Sequence, residues 1–282
     1  MKFSMTSFMK KRAADNQNLI PGGDLDVNRM PAYLLFARLG KRILRPGGRR
    51  MTQRLSSGLN VTELDDVVEF APGLGATASR ILARHPRSYV GVERDRECAS
   101  VAARALAWSS AASIRVGQAQ QTGLEKGFAS VVVGEAMLTL QTDAKKHEIV
   151  SEASRLLRPG GRYGIHELCL VPDDMPPARK HEIARELSSA LHVAARPYTV
   201  TEWSELLHLY GFDVTHSGLG KMALLNPLRI IADEGVIGAY RFAHNVSKDP
   251  DARKRLLGIR KVLESYSSEI AAAYFVAEKR VT

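Results

Sequence analysis

The sequence predicts an α/β fold, a mostly parallel sheet with helices on both faces and helical insertions capping it. Three observations carry this. Strand-like and helix-like stretches alternate from Val67 to Leu170, as they do where parallel strands are joined by crossover helices. The strand-like stretches are short and continuously apolar, like strands buried on both faces. The composition, 45% apolar and 25% charged over 282 residues, is globular and excludes a disordered, collagen-like or disulfide-stapled chain.

Residues 1–28 are polar, with a turn at Pro21-Gly22-Gly23-Asp24, and are expected to form a basic, flexible N-terminal tail. Inside it Met1, Met5, Phe8 and Met9 recur at helical spacing beside Lys10-Lys11-Arg12. A short amphipathic helix touching an anionic membrane or the substrate entrance is the alternative to a frayed end. Residues 1–60 hold twelve Lys/Arg against three Asp/Glu, nearly the whole net charge of +10, so the basic character belongs to one end. A helix is expected over Pro31–Leu44, on the stripe Leu34, Leu35, Leu39 and Ile43, and is broken by Pro46-Gly47-Gly48. Another is expected over Thr52–Leu59.

Val67–Phe70, Tyr89–Glu93, Ser113–Val116, Ala129–Val133 and Arg162–Leu170 read as five strands. Ala76–His85, Arg96–Ser109 and Asp143–Leu157 read as the helices between them. Beyond Val171 come a helix over Ala178–Ala195 and a helix over Thr201–Tyr210, the latter announced by Thr-Val-Thr-Glu. A strand over Phe212–Ser217, a mostly helical stretch over Met222–Leu263 and a last strand near Ile270–Glu278 follow. The expected layout is one domain over 29–282. Its N-terminal helices span 29–60, its core 61–170, 198–218 and 269–282, and its helical insertions 171–197 and 219–268. No apolar run approaches the roughly 18 residues of a membrane span, and no secretory apolar core is present at the start. The two cysteines, Cys98 and Cys169, are far apart. A cytoplasmic protein without a metal site is expected.

The informative stretch is Glu69-Phe70-Ala71-Pro72-Gly73-Leu74-Gly75, between a strand and a helix. Glycines here allow a sharp turn and close approach to a ligand, and the following helix offers free N–H groups. Read alone, it is also compatible with a plain strand–helix corner. Glu93 lies twenty residues beyond Gly73, at the end of the second strand, where an acid can accept both hydroxyls of a ribose. Glu69, a carboxylate just before the turn, disfavours a pyrophosphate. It favours a cationic ligand, which points away from NAD and toward S-adenosylmethionine.

These residues resemble the class I S-adenosylmethionine-dependent methyltransferases from about Leu44 onward. The first motif is Val67–Gly75. Gly117-Gln118-Ala119 is similar to the segment that contacts adenine, with Gln118 where family members usually carry Asp. Val133-Gly134-Glu135-Ala136-Met137 resembles the strand-four end that faces the sulfonium, and Leu156–Arg162 the signature turn before strand five. The resemblance implies a Rossmann-like sheet of seven strands, the last antiparallel, and S-adenosylmethionine as cofactor. It implies a binding set of Glu69, Ala71, Gly73, Gly75, Glu93, Arg94, Gln118, Ala119, Glu135 and Ala136. Gly47 and Gly48 either close over the methionine end or simply turn the chain between two helices, and Tyr33 is a further candidate cover for that pocket.

His166 and Glu167, at the C-terminal part of strand five, are the catalytic candidates. His166 is either a general base or a packed histidine, and Glu167 either shapes the substrate or sits in a salt bridge. His181 and His192 read as surface or lid residues, Trp203 as core, and Tyr240 and Phe242 as candidate lid contacts. The expected partner is a small-molecule methyl acceptor. The alternatives are a nucleic-acid substrate, suggested by the basic first 60 residues, and cofactor binding without turnover. Against nucleic acid, strand four lacks the Asn/Asp-Pro-Pro-aromatic run of enzymes that methylate exocyclic base amines. The oligomeric state is expected to be monomer or homodimer.

Overall fold

The computed structural model describes residues 21–281. The stretch Met1–Arg12, where a short basic helix is the alternative to a frayed end, lies outside the described residues. Eight strands form one sheet, β1 (Asp66–Phe70), β2 (Ser88–Glu93), β3 (Ala112–Val116), β4 (Ala129–Glu135), β5 (Leu157–Leu170), β6 (Tyr198–Thr199), β7 (Phe212–Lys221) and β8 (Ile270–Lys279). Their order is β3-β2-β1-β4-β5-β8-β7, with the short β6 paired to the end of β5. Strands β1 to β6 pair in parallel, and β8 runs antiparallel between β5 and β7. The seven expected strands are all present. The eighth, β6, is only two residues long and carried no periodicity to read.

The helices are α1 (Ala32–Arg38), α2 (Gly48–Leu59), α3 (Ala76–Leu82), α4 (Arg96–Leu106), α5 (Asp143–Leu156), α6 (Pro177–Leu191), α7 (Val200–Leu209), α8 (Pro227–Lys248) and α9 (Pro250–Ser265). Short polar side chains start several of them. Asp95 accepts the Cys98 N–H at the head of α4, and Asn226 accepts from Leu228 and Arg229 at the head of α8. The Thr-Val-Thr-Glu signal forms a full capping box, with Thr199 and Glu202 each accepting the other's backbone N–H, which satisfies donors the helix leaves free. Helix α1 stops at Arg38, short of the expected Leu44. Gly40 turns the chain at φ 96°, and the Glu234 carboxylate takes the N–H groups of Arg42 and Ile43 at 3.0 and 2.8 Å.

Alternation along the strands splits the core. Val68, Phe70, Val90 and Val92 face α5 and α7, while Val67, Tyr89, Val131 and Val133 face α2, α3 and α4. A third cluster caps the C-terminal end of β5. There Leu35 and Phe36 of α1 meet Ile183 and Leu187 of α6, Phe242 of α8 and Ile259 of α9. The insertions thus form a helical cap with its own apolar interior.

Residues 21–28 are not a free tail. The Gly22 N–H donates to Glu97 at 2.7 Å, and the carbonyls of Leu25 and Val27 accept from Arg38 and Arg255. The polar composition that suggested disorder supplies turns that dock through backbone hydrogen bonds. Among the described residues, no helix is long and apolar enough to cross a membrane.

Candidate active site

The C-terminal ends of β1, β2 and β4 open into a cavity of about 590 Å³, within the usual range for small-molecule sites. Ala71 and Gly73 after β1, Glu93 and Arg94 at β2, Gln118 and Ala119 after β3, and Glu135 and Ala136 at β4 all line it. Ala71 and Ala136 hold φ of 52° and 56°. Left-handed backbone is costly for alanine and collects at functional sites, and here both residues end central strands at the cavity wall.

Glu93 is buried. One carboxylate oxygen accepts the Gly73 N–H and the other the Asp95 N–H, both at 3.0 Å. Burial pushes its pKa up, and the two backbone bonds oppose that. The acid therefore clamps the glycine turn from beneath and presents itself to the cavity.

Glu135 stands next to His166 in the β4–β5 register. Thr52 and Thr77 donate to it at 2.6 and 2.5 Å, His166 Nδ1 lies 2.7 Å away, and Arg45 Nε 3.2 Å away. Burial raises its pKa, but Arg45, His166 and Thr52 outweigh burial and hold it at about 2. It is a carboxylate at neutral pH.

Glu69 has the opposite environment. It lies off the cavity, fully enclosed, and accepts the Tyr89 hydroxyl at 2.7 Å. Burial raises its pKa to about 8, the Tyr89 bond and Arg45 only partly opposing. At pH 7 it is mostly a neutral acid under the sheet. It is expected among the binding residues, but the carboxylates that line the cavity are Glu93 and Glu135. Gly75 also lies off the cavity, capping α3.

Gly47 and Gly48 do not line the cavity either. A Cβ on Gly48 would fall 2.4 Å from Asp233 of α8. Asp233 accepts the Arg49 N–H at 2.8 Å, and Arg229 donates to the Gly47 carbonyl at 3.0 Å. The Pro-Gly-Gly segment is therefore a close junction between α2, β5 and α8.

The two catalytic candidates are reassigned by their partners. His166 is fully buried. Its Nε2 accepts the Gly47 N–H at 3.1 Å while Nδ1 faces ionised Glu135. That pairing requires the neutral ring with its proton on Nδ1, and leaves no lone pair for a substrate proton. Glu167 accepts three backbone N–H groups, from Met137, Leu138 and Thr139, at 2.8 to 3.0 Å. It shapes the loop after β4. His166 positions others, while Glu167 both holds that loop and borders the smaller chamber beside the cavity.

The remaining histidines and aromatics are peripheral to the cavity. His181 and His192 are exposed. Trp203 is core, its indole N–H donating to the Leu168 carbonyl at 3.0 Å. Phe242 is buried in the cap, and Tyr240 is exposed.

The N-terminal segment supplies lining of which the sequence singled out only Tyr33. Tyr33, Leu34 and Ala37 of α1, with Arg42 and Arg45 beyond it, form one wall, and Leu140, Gln141 and Lys145 another. A smaller chamber of about 70 Å³ adjoins, walled mainly by apolar residues including Phe36, Leu168, Leu191, Met222 and Leu263. Tyr33, Leu44, Ala136 and Leu140 border both spaces.

Residues 67–161 match the family model described as "Methyltransferase domain". An uncharacterized protein of Haemophilus influenzae is 26% identical over 247 residues, covering 86% of this chain and 94% of its own. Among solved structures, a geranyl diphosphate methyltransferase in complex with SAM superposes with a TM-score of 0.59 at 16% identity, over 81% of this chain and 85% of that one. The [4+2]-cyclase SpnF superposes at 0.62 and 15% identity, over 83% and 81%. The sheet order and the matched domain define the class. The chain carries a methyltransferase domain over residues 67–161 and has the fold of class I S-adenosylmethionine-dependent methyltransferases.

Proposed function

We propose that the acceptor is a small molecule with an apolar portion. The observation behind this is the apolar side chamber, which adjoins the cavity at Ala136 and is roofed by α1, α6 and α9. A volume of about 70 Å³ is several times the 10–15 Å³ or so that one water needs, enough for a short branched chain or a ring.

The lining residues fit the cofactor. Glu93 accepts ribose hydroxyls, Gln118 and Ala119 border the adenine end, and Ala71, Gly73, Glu135 and Ala136 border the methionine end. Arg94 lies at the rim. When bound, the cofactor supplies an activated methyl group for in-line displacement. The chain's own work is then alignment and exclusion of water, a proximity effect. The cap keeps water out. Tyr33, bordering both spaces, orients the acceptor. Tyr33→Phe is expected to raise the acceptor KM several-fold with cofactor affinity unchanged, and a parallel loss of cofactor binding would remove that role.

The decisive test is calorimetric binding of S-adenosylmethionine followed by methyl transfer to fractionated cell metabolites and to total RNA. Transfer to an amphiphilic metabolite is the expected result. Transfer to RNA alone would overturn the reading, and binding without any acceptor would favour cofactor binding without turnover.

A further inference from the structure

Helix α8 is amphipathic in the reversed sense. Between Met222 and Lys248 the only acids are Asp233 and Glu234, and both are turned inward. Asp233 is buried against the head of α2. Glu234 accepts from Arg42, Ile43 and Lys41. The outward side is apolar, with Leu228 77%, Val236 75%, Ile237 77% and Tyr240 71% exposed, and Ile231 46%.

A break in the helix produces this. In an unbroken helix Ile237 would continue the inward stripe of Ile230 and Asp233 at seven- and four-residue spacing. Gly235 adopts φ 74° and ψ 170°, a conformation essentially restricted to glycine. The second half of the helix is thereby rotated, so that Phe242 packs inward and Val236 and Ile237 face out. An apolar surface of this kind marks an interaction site.

Its rim is cationic. Arg42 and Arg49 are exposed and follow directly from the backbone groups that Glu234 and Asp233 hold, and exposed Arg50 adjoins Arg49. Exposed Arg241 lies one turn beyond Ile237 and packs near Gly40. No exposed acid interrupts α8 itself.

We propose that this face docks on an anionic membrane surface, the apolar residues entering the headgroup boundary and the arginines meeting anionic lipid. A second copy of the chain fits less well, because a two-fold contact would bring the same arginine rim against itself. Nucleic acid fits less well, because a duplex turns its phosphates outward and leaves the five exposed side chains uncovered unless its bases unstack.

The test is co-sedimentation of the full chain with neutral phosphatidylcholine vesicles and with vesicles that also contain phosphatidylglycerol, at low and high salt. Binding to the anionic vesicles should exceed binding to neutral ones by at least about tenfold and fall in high salt. Val236→Asp/Ile237→Asp should abolish binding, and Arg49→Glu/Arg50→Glu/Arg241→Glu should abolish the anionic preference. In both variants circular dichroism and S-adenosylmethionine affinity should match the parent. Unchanged vesicle binding by Val236→Asp/Ile237→Asp would overturn the proposal, since the chain would then bind elsewhere. Absence of parent binding would do the same, as would light scattering showing that this double change only splits a dimer.

Discussion

Two buried glutamates near the strand ends, Glu135 and Glu69, differ in charge because their neighbours differ. Glu135 is ringed by Arg45, two threonine hydroxyls and His166, whereas Glu69 meets chiefly one tyrosine. Glu93 is held by backbone N–H groups alone. A hydrogen bond to a charged group is worth about 1.5–3 kcal/mol, so Glu93→Gln should weaken S-adenosylmethionine binding about tenfold or more by calorimetry. For His166 the expectation is structural. His166→Asn leaves Glu135 and the Gly47 N–H short of a partner, at a cost of about 1–3 kcal/mol. Its melting temperature should drop while the pH dependence of turnover keeps its shape. A lost basic limb in that profile would restore His166 as a base.

At the scale of elements, the cap meets α2 at a close approach, Gly48 against Asp233. A Cβ at 2.4 Å from a carboxylate oxygen, on a backbone with φ 59°, combines overpacking with left-handed strain. Gly48→Ala should therefore destabilise by about 2–4 kcal/mol in urea titration. Adding Asp233→Ala should recover part of that loss, because the clash partner is gone. Simple additivity of the two would mean that they do not meet. The elements themselves were largely legible. The glycine turn, the five core strands and the Thr-Val-Thr-Glu cap all show in local pattern. The break at Gly235 did not, since Met222–Leu263 reads as one mostly helical stretch and only a glycine hints at a rotation of the face.

For the whole molecule, the buried acids set the pH dependence of folding. Glu69 is raised from its ordinary 4.5 to about 8, so the folded chain holds a proton that the unfolded chain releases. Its contribution is fully present below about pH 4.5 and is lost as pH rises toward 8. Glu135, depressed to about 2, acts oppositely, stabilising above pH 4.5 and losing that effect as pH falls toward 2. Urea unfolding at pH 5 and pH 8 should show Glu69→Gln flattening the alkaline decline. An equal slope in the variant would locate the proton elsewhere.

By itself, the sequence determined the parallel core, its strand ends and the acid twenty residues past the glycine turn. These depend on periodicity and on residues close in the chain. Its resemblance to a family implied one binding set that includes Glu69 and Glu135, with His166 as a catalytic candidate and Gly47 left open. Only the tertiary structure decided which of them is charged, which faces the cavity and which is enclosed. Protonation and access depend on neighbours such as Arg45, Tyr89 and Asp233, brought from other elements, and local pattern holds no record of those distances.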